Sequence, residues 1–115
     1  MESDLATLLK GICVRTYPDI APPNTATPYV TWQGIGGESL RYIDGAAADR
    51  RHTLLQINAW SKTRSEALTL IRAIEDALCA SAAFTATPQG EPLSTYEPDP
   101  LLYGSLQRFD IWATR

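Results

Sequence analysis

The segment Arg51–Leu78, RHTLLQINAWSKTRSEALTLIRAIEDAL, decides the fold because its hydrophobic periodicity changes midway. From Thr53 to Ala59 every second residue is small or apolar, which is typical of a half-buried strand whose side chains alternate between faces. Thr63 and Glu66 then form the T-x-x-E pattern of a capping box, which marks the start of a helix. One apolar helical stripe follows: Ala67, Leu70, Ile71, Ile74, Ala77 and Leu78. The segment therefore predicts a strand, a capped turn and an amphipathic helix.

Another helix and several strands are predicted on either side of this unit. Near the N-terminus, Ser3 or Asp4 can cap a helix whose apolar face is formed by Leu5, Leu8, Leu9 and Ile12. Strands are indicated at 29–35, 39–43, 93–96 and 103–113 by β-branched, aromatic or alternating apolar residues. Prolines predict irregular connections at 19–28 and 83–92. Residues 33–56 are expected to form a hairpin with a mobile tip at 44–49.

These elements predict a single α+β domain over residues 1–115. Two amphipathic helices need an apolar surface to cover, and one face of a sheet provides it. We expect a small antiparallel or mixed sheet of about four or five strands with both helices on one face. The predicted order is α-β-β-β-α-β-β.

Composition and charge argue against several classes of partner. The chain is 44% hydrophobic and 20% charged, with a net charge of -3. Its basic residues are scattered, and only Arg50 and Arg51 are adjacent, so direct sequence-specific binding of nucleic acid is disfavoured. No apolar run approaches the ~18 residues of a membrane span, and the N-terminus lacks the pattern of a signal peptide. We expect a soluble intracellular protein that binds no membrane.

No pattern indicates catalysis, a cofactor or a metal. Cys13 and Cys79 lie in predicted helices and are expected to be buried free thiols. The one histidine, His52, has no nearby metal-ligand pattern and is expected to be an exposed structural or neutral residue at a strand end. A G-x-G at residues 34–36 lacks the following helix of a phosphate-binding fingerprint. The sequence is interpreted as that of a non-enzyme.

The second face of the two long strands combines polar side chains with large apolar ones. It carries Leu54, Gln56, Asn58, Trp60, Leu106, Arg108, Asp110 and Trp112. A sheet face in contact with water alone seldom holds two tryptophans and two leucines. Either a partner protein contacts this face or a loop of the same chain covers it. Under the first interpretation, Trp60 and Trp112 lie at or near a protein–protein contact.

Four segments together resemble the small tail-completion proteins of long-tailed bacteriophages and prophages. They are MESDLATLLKG at 1–11, PYVTWQGIG at 28–36, the segment at 51–78 already quoted, and EPDPLLYGSLQRFDIW at 97–112. The most specific piece is QINAWSKTRSEAL at 56–68, a strand entering a capped helix with Trp60 at the junction. The resemblance covers nearly the whole chain and implies a domain similar to the tail terminator of phage lambda.

The resemblance implies a structural role in virion assembly rather than a reaction. Such proteins form a ring, typically a hexamer, on the end of the tail tube. The implied partners are other copies of the chain, the major tail tube protein and the head–tail connector or neck protein. The implied location is the bacterial host cytoplasm during assembly and the tail or neck of the virion afterwards. The candidate contact residues are Leu54, Trp60, Arg108 and Trp112 on the sheet, with Asp44, Arg50 and Arg51 at or near the hairpin tip.

Two other functions stay open on the sequence. A head–tail (neck) adaptor would bind the connector without terminating the tube. A small host ligand-binding or regulatory α+β domain would need a concave pocket with converging polar groups, and the sequence offers no marker of one. The sequence leaves the ring size, the tail type and the pairing of residues with partners open.

Overall fold

The protein is an α+β domain with a mixed sheet, as predicted. The structure, a computed structural model, describes residues 2–19, 26–36, 50–82, 84–97 and 102–114. Its elements in chain order are α1 (Glu2–Ile12), β1 (Thr16–Pro18), β2 (Tyr29–Gly36), β3 (Arg50–Ser61), α2 (Arg64–Ala80), β4 (Thr85–Pro88), β5 (Leu93–Glu97) and β6 (Leu102–Thr114). The described part therefore contains six strands, more than the four or five expected. The predicted strand at 39–43 and the hairpin tip at 44–49 lie outside the described residues.

The long strands β3 and β6 form the centre of the sheet. The strand order is β1-β2-β3-β6-β4, and β5 pairs with β6 as well. Only β1 and β2 are parallel, and every other described pair is antiparallel. β6 has 13 residues, so its length allows β5 to pair with its first part and β4 with its last part. The expected pairing of 33–56 as a hairpin is confirmed where β2 meets β3.

The two strands that the sequence did not predict are short and end in proline. β1 lies between the predicted first helix and the predicted connection at 19–28, and β4 lies in the predicted loop at 83–92. Proline is tolerated at the end of an edge strand, because such a strand pairs along one side only. Segments this short carry too little periodicity to be recognised, and their strand conformation is imposed by the neighbours with which they pair.

One face of the sheet and both helices enclose the hydrophobic core. The predicted strand faces are confirmed, since Leu55, Ile57 and Ala59 of β3 and Phe109 and Ile111 of β6 are buried. The helices contribute buried apolar residues to the same core: Leu5, Leu9, Ala67, Ile71, Ile74 and Leu78. The remaining stripe residues are half-buried at its margin: Leu8, Ile12, Leu70 and Ala77.

The start of α2 has the predicted cap. Thr63 has extended backbone angles, and its hydroxyl accepts a hydrogen bond from the backbone N–H of Glu66 at 3.2 Å. Such a cap contributes about 1 kcal/mol to helix stability. The cap fixes the residue at which the chain leaves β3 and enters the helix that covers the core.

A polar side chain on the buried face of β6 connects three parts of the chain. Gln107 is buried, and its amide nitrogen donates to Glu75 Oε1 at 2.7 Å and to the carbonyl of Gly90 at 2.9 Å. Both acceptors lie far from Gln107 in sequence. The side chain thereby positions α2 and the turn before β5 relative to β6.

The prediction of two buried thiols is correct for Cys13 and wrong for Cys79. Both are free, but Cys79 is exposed because it lies outside the apolar stripe of α2. Local desolvation and the negative charges of Glu75 and Asp76 raise the pKa of the Cys79 thiol. The raised pKa favours the protonated thiol over the reactive thiolate.

Candidate interaction surface

The sheet face opposite the helices carries most of the candidate contact residues. We call it the outer face and define it by the second-face residues of β3 and β6: Leu54, Gln56, Asn58, Trp60, Leu106, Arg108, Asp110 and Trp112. Arg108 is exposed and the other seven are half-buried. Side chains from neighbouring strands contact both tryptophans, so the outer face is an organised surface rather than a row of free side chains.

One end of the outer face is built around Trp60. The Tyr29 and Trp60 rings stack with centroids 6.5 Å apart, and Gly104 lies directly opposite Trp60 in the β3–β6 pair. A Cβ atom at Gly104 would lie 2.8 Å from Cζ3 and 2.9 Å from Cε3 of the Trp60 ring, and 2.8 Å from Cγ2 of Thr95. The indole therefore lies across a position that has no room for a side chain. We call Tyr29, Trp60, Thr95 and Gly104 the Trp60 cluster.

The other end of the outer face is built around Trp112 and His52. The two rings stack with centroids 4.6 Å apart and an interplanar angle of 23°. His52 Nε2 lies 2.7 Å from Asp110 Oδ1, and Gln89 Nε2 donates to Asp110 Oδ2 at 2.7 Å. The hydrogen bonds from His52 and Gln89 hold the pKa of Asp110 below its usual value. We call His52, Gln89, Asp110 and Trp112 the Trp112 cluster.

Polar residues separate the two clusters. Arg108 Nε donates to Gln56 Oε1 at 3.3 Å across the β3–β6 pair. Asn58 lies opposite Leu106, and its side-chain oxygen is buried with no hydrogen-bond partner among the described residues. This arrangement resembles a protein contact surface, where aromatic groups make the main contacts and polar groups set orientation.

The described residues show no feature typical of a metal site or a membrane span. Within them, no group of three or more His, Cys, Asp or Glu side chains is placed to hold a metal ion. No helix in the described part of the chain is both long and apolar enough to cross a membrane.

Comparison with known families identifies the chain's relationship. The family model for Tail completion protein gp17 matches residues 2–114. The chain belongs to this tail completion family. A search among curated proteins gave no match. The family consists of phage tail structural proteins and is not a known enzyme class. Its members are expected in the virion tail.

Membership of the tail completion family confirms the resemblance inferred from the sequence. The matched range, residues 2–114, includes both described helices and all the described strands, so the whole described fold belongs to the family. It supports a structural role in the phage tail and gives no support to the alternative of a host regulatory domain.

Within this tail completion fold, four of the predicted contact residues share one surface. Leu54, Trp60, Arg108 and Trp112 all lie on the outer face, where Leu54 is opposite Asp110. Of the other three, Arg50 and Arg51 begin β3 opposite Thr114 and Ala113, and Asp44 is outside the described residues.

The sequence did not predict the hydrogen bond between His52 and Asp110. These residues are 58 positions apart, and only the β3–β6 register brings them together. His52 was expected to be exposed, but its side chain is only 12% exposed because it stacks on Trp112. The expectation of a structural role for His52 agrees with this packing.

A second feature of the surface was also absent from the predictions. The Tyr96 and Tyr103 rings lie 4.7 Å apart, and both side chains are exposed. They line an open cleft of ≈ 220 Å³ together with Arg64, Ser94 and Thr95. We call it the tyrosine cleft. It joins the start of α2 to the β5–β6 pair, two regions that are remote in sequence.

Proposed function

We propose that the protein caps the end of the tail tube as an oligomeric ring, which ends tube polymerisation and presents a surface for head–tail joining. The observation that carries the proposal is the match to a tail completion family over residues 2–114. Its partners are other copies of the chain, in a ring of about six as the family resemblance implies, the major tail tube protein and the head–tail connector. It acts in the host cytoplasm during assembly and stays in the virion.

The outer face is the surface proposed to contact the tail proteins. Trp60 and Trp112 are half-buried and held by neighbouring rings, so little side-chain entropy remains to be lost when a partner docks. Large aromatic groups and arginine are the residue types that most often dominate binding energy at protein contacts. We assign the contact to Leu54, Trp60, Arg108 and Trp112, with Asp44, Arg50 and Arg51 extending it at the hairpin.

The free protein is proposed to be monomeric or weakly associated and to form its ring on the tube end. The outer face supports this because polar groups interrupt its apolar ones, with Gln56 and Arg108 lying between the two tryptophans. A surface without a large continuous apolar patch can stay exposed to solvent in the free protein without causing association. Sedimentation analysis of the pure protein at micromolar concentration tests this point, and a stable hexamer there would overturn it.

Electron microscopy of phage lacking this gene tests the capping function. Abnormally long tubes beside unattached filled heads are expected, because nothing then stops addition of tube subunits. Supplying the wild-type gene from a plasmid should restore both tail length and head attachment. Tails of normal length that fail only to join heads would reject capping and indicate the neck adaptor instead.

A direct binding measurement separates capping from adaptor function without genetics. The purified protein is mixed with purified tail tubes and, separately, with connector rings, and each mixture is sedimented. Capping predicts binding to tubes at a fixed small number of copies per tube end. Binding to the connector alone, with none to tubes, would contradict the proposal.

A further inference from the structure

Three of the described strands lie at edges of the sheet, and they differ in how their edges are protected. β1 and β4 have three and four residues and end in Pro18 and Pro88. β5 has five residues, LSTYE, and among the described strands it pairs only with β6. Natural edge strands are usually kept short or blocked with proline or charged residues, because their free backbone groups can pair with another chain. In β5 these blocking residues occur only at the ends, with Pro92 before the strand and Glu97 and Pro98 at its close, so the other residues of β5 carry neither proline nor charge.

β5 also presents large apolar side chains. Leu93 is 57% exposed and Tyr96 is 45% exposed. Tyr96 forms one wall of the tyrosine cleft, so an apolar concave site lies directly beside the free edge. An unprotected strand edge with an adjacent side-chain site is the arrangement used when an added strand extends a sheet.

The opposite edge of the same sheet carries an exposed apolar side chain, Ile35. In the β2–β3 pair Gly34 is opposite Leu55 and Gly36 is opposite Leu54, so the bulge places Ile35 opposite no residue of β3. Its side chain is 37% exposed. β1 pairs with β2 only at residues 30–32, and no other described strand pairs with that side of β2. Bulges at sheet edges commonly redirect a side chain.

We propose that β5 and the tyrosine cleft of one copy bind residues Gln33–Gly36 of a neighbouring copy, with Ile35 in the cleft. The two surfaces lie on opposite edges of one sheet, so the contact is head-to-tail. A head-to-tail contact repeats from copy to copy and closes into a ring when the rotation between copies permits. The inference rests on the proposed ring and names the surfaces that would form it.

The chemistry of the two surfaces is compatible. The segment QGIG carries no charge, so neither Arg64 in the cleft nor Glu97 at the end of β5 meets a like charge when the segment binds. A five-residue strand and one inserted side chain form a small contact, below the area typical of stable complexes. Such a contact is weak between free copies and becomes effective when a tube end holds several copies side by side. This agrees with assembly on the tube rather than in solution.

Charged substitutions test the contact through tail length in the complemented deletion phage. Ile35→Lys and Tyr96→Glu should each reduce the fraction of correctly capped tails roughly tenfold or more, because the lysine meets Arg64 in the cleft and the glutamate replaces an apolar wall of the cleft. Combining Ile35→Lys with Tyr96→Glu should restore capping, since the two charges then pair between copies. No loss in either single variant, or no rescue in the double variant, would overturn the proposal.

Val14→Lys is the matched control for Ile35→Lys. Val14 is a still more exposed apolar residue, located just before β1. By the β1–β2 register it lies about seven residues along the strand direction from Ile35, roughly 23 Å away. It should leave capping unchanged. The Ile35 and Val14 variants should keep the wild-type Tm, because these side chains are exposed. The Tyr96 variants lose the ring contact with Tyr103, so Tyr96→Ser, which loses the same contact without adding a charge, is their control for stability.

Cross-linking distinguishes the proposed contact from a two-fold one. In a Cys79→Ser background, Gln33→Cys and Leu93→Cys are introduced together, because both positions lie on the outer side of the sheet, and assembled tails are treated with a short bis-maleimide. A ladder of linked copies is expected when both cysteines are in one chain, and only linked pairs when each is in a separate chain and the two are mixed. Linked pairs with Leu93→Cys alone would show β5 bound to β5 and overturn the head-to-tail contact.

The two measurements keep the proposals separable. If the cysteine variants cap tails normally but give no ladder of cross-linked copies, the proposed edge contact is wrong and the capping function stands. If the deletion phage has tails of normal length, the capping function is wrong. The ladder then judges the edge contact independently, because it reports only on contact between copies.

Discussion

The two tryptophans of the outer face occupy opposite ends of one strand pair and are held by different forces. Trp60 lies across Gly104 and stacks on Tyr29, so close packing fixes its position. Trp112 stacks on His52, which is in turn bonded to the Asp110 carboxylate. Substitutions that change side-chain volume should destabilise the packing around Trp60, and substitutions that remove a charge or hydrogen bond should destabilise the packing around Trp112. The stability contributed by each tryptophan can therefore be tested with a different kind of substitution.

The largest effect is expected from Gly104→Ala in the Trp60 cluster. The added methyl would lie 2.8 Å from the indole and from Thr95, so the ring must move. Overpacking of this kind typically costs about 1–3 kcal/mol. Urea unfolding should show this loss in the free energy of unfolding.

A matched control and a double variant make this test specific. Gly11→Ala adds the same methyl in α1, where nothing lies within 4 Å of it, and should stabilise the helix by up to about 1 kcal/mol. Combining Gly104→Ala with Trp60→Ala should remove most of the penalty from the added methyl. An equal penalty with and without the indole would show that Trp60 is not the obstacle.

A smaller effect is expected from His52→Phe in the Trp112 cluster. Phenylalanine can keep the stacking on Trp112 but cannot bond to Asp110, so about 0.5–1.5 kcal/mol of stability should be lost. His52→Ala should cost more, because the ring contact disappears as well. Urea unfolding of both variants at neutral pH gives the comparison. Equal losses in the two variants would mean that the stacking contributes nothing.

Asp110→Asn should change how stability depends on pH. The pKa of Asp110 is lowered in the folded protein, first by the His52 hydrogen bond and then by that of Gln89. A lowered carboxyl pKa contributes stability that is fully present above the ordinary value of 3.8 and is lost as the pH falls through the folded value. The difference in unfolding free energy between wild type and variant should therefore shrink on acidification below about pH 4. If the unfolding free energies of wild type and Asp110→Asn differ by the same amount at every pH from 6 to 2, this prediction is wrong. The Trp60 cluster contains no carboxylate. The difference in unfolding free energy between wild type and Gly104→Ala should therefore stay the same as the pH falls.

The smallest effect on stability is expected from Arg108→Ala, between the two clusters. Arg108 is exposed and makes a long hydrogen bond to Gln56, so unfolding free energy should change by no more than about 0.5 kcal/mol. Sedimentation with tail tubes should nevertheless show weaker binding if the outer face contacts them. Unchanged binding by Arg108→Ala, and by Trp112→Ser as well, would remove the outer face from the proposed contact.

Much of the fold was predictable because long elements carry repeated signals. The Thr63 cap, the stripe of α2 and the alternation of β3 each follow from a local pattern, and each is present in the structure. β1 and β4 were missed because three or four residues ending in proline are too few to show an alternation of apolar and polar side chains. The exposure of Cys79 was missed because neighbouring residues on a helix can differ widely in burial.

Less of the candidate surface was predictable, because it depends on register. Alternation alone placed Leu54, Trp60, Arg108 and Trp112 on one face, and the structure agrees. It could not place Trp60 over Gly104 or His52 beside Asp110, since a strand pattern fixes the face of a residue but not its partner across the sheet. The tyrosine cleft was beyond sequence analysis because β5, β6 and the start of α2 meet only in the folded chain.

The sequence by itself determined the α+β class, the limits of the long elements, the buried face of each and the family resemblance. These properties follow from local periodicity, capping and turn chemistry, which act over a few residues. The tertiary structure alone decided the strand order, the pairing of His52 with Asp110, the position of Trp60 over Gly104 and the location of β5 at an edge of the sheet. These features depend on contacts between residues remote in sequence, which form only when the described helices and strands pack together around the core.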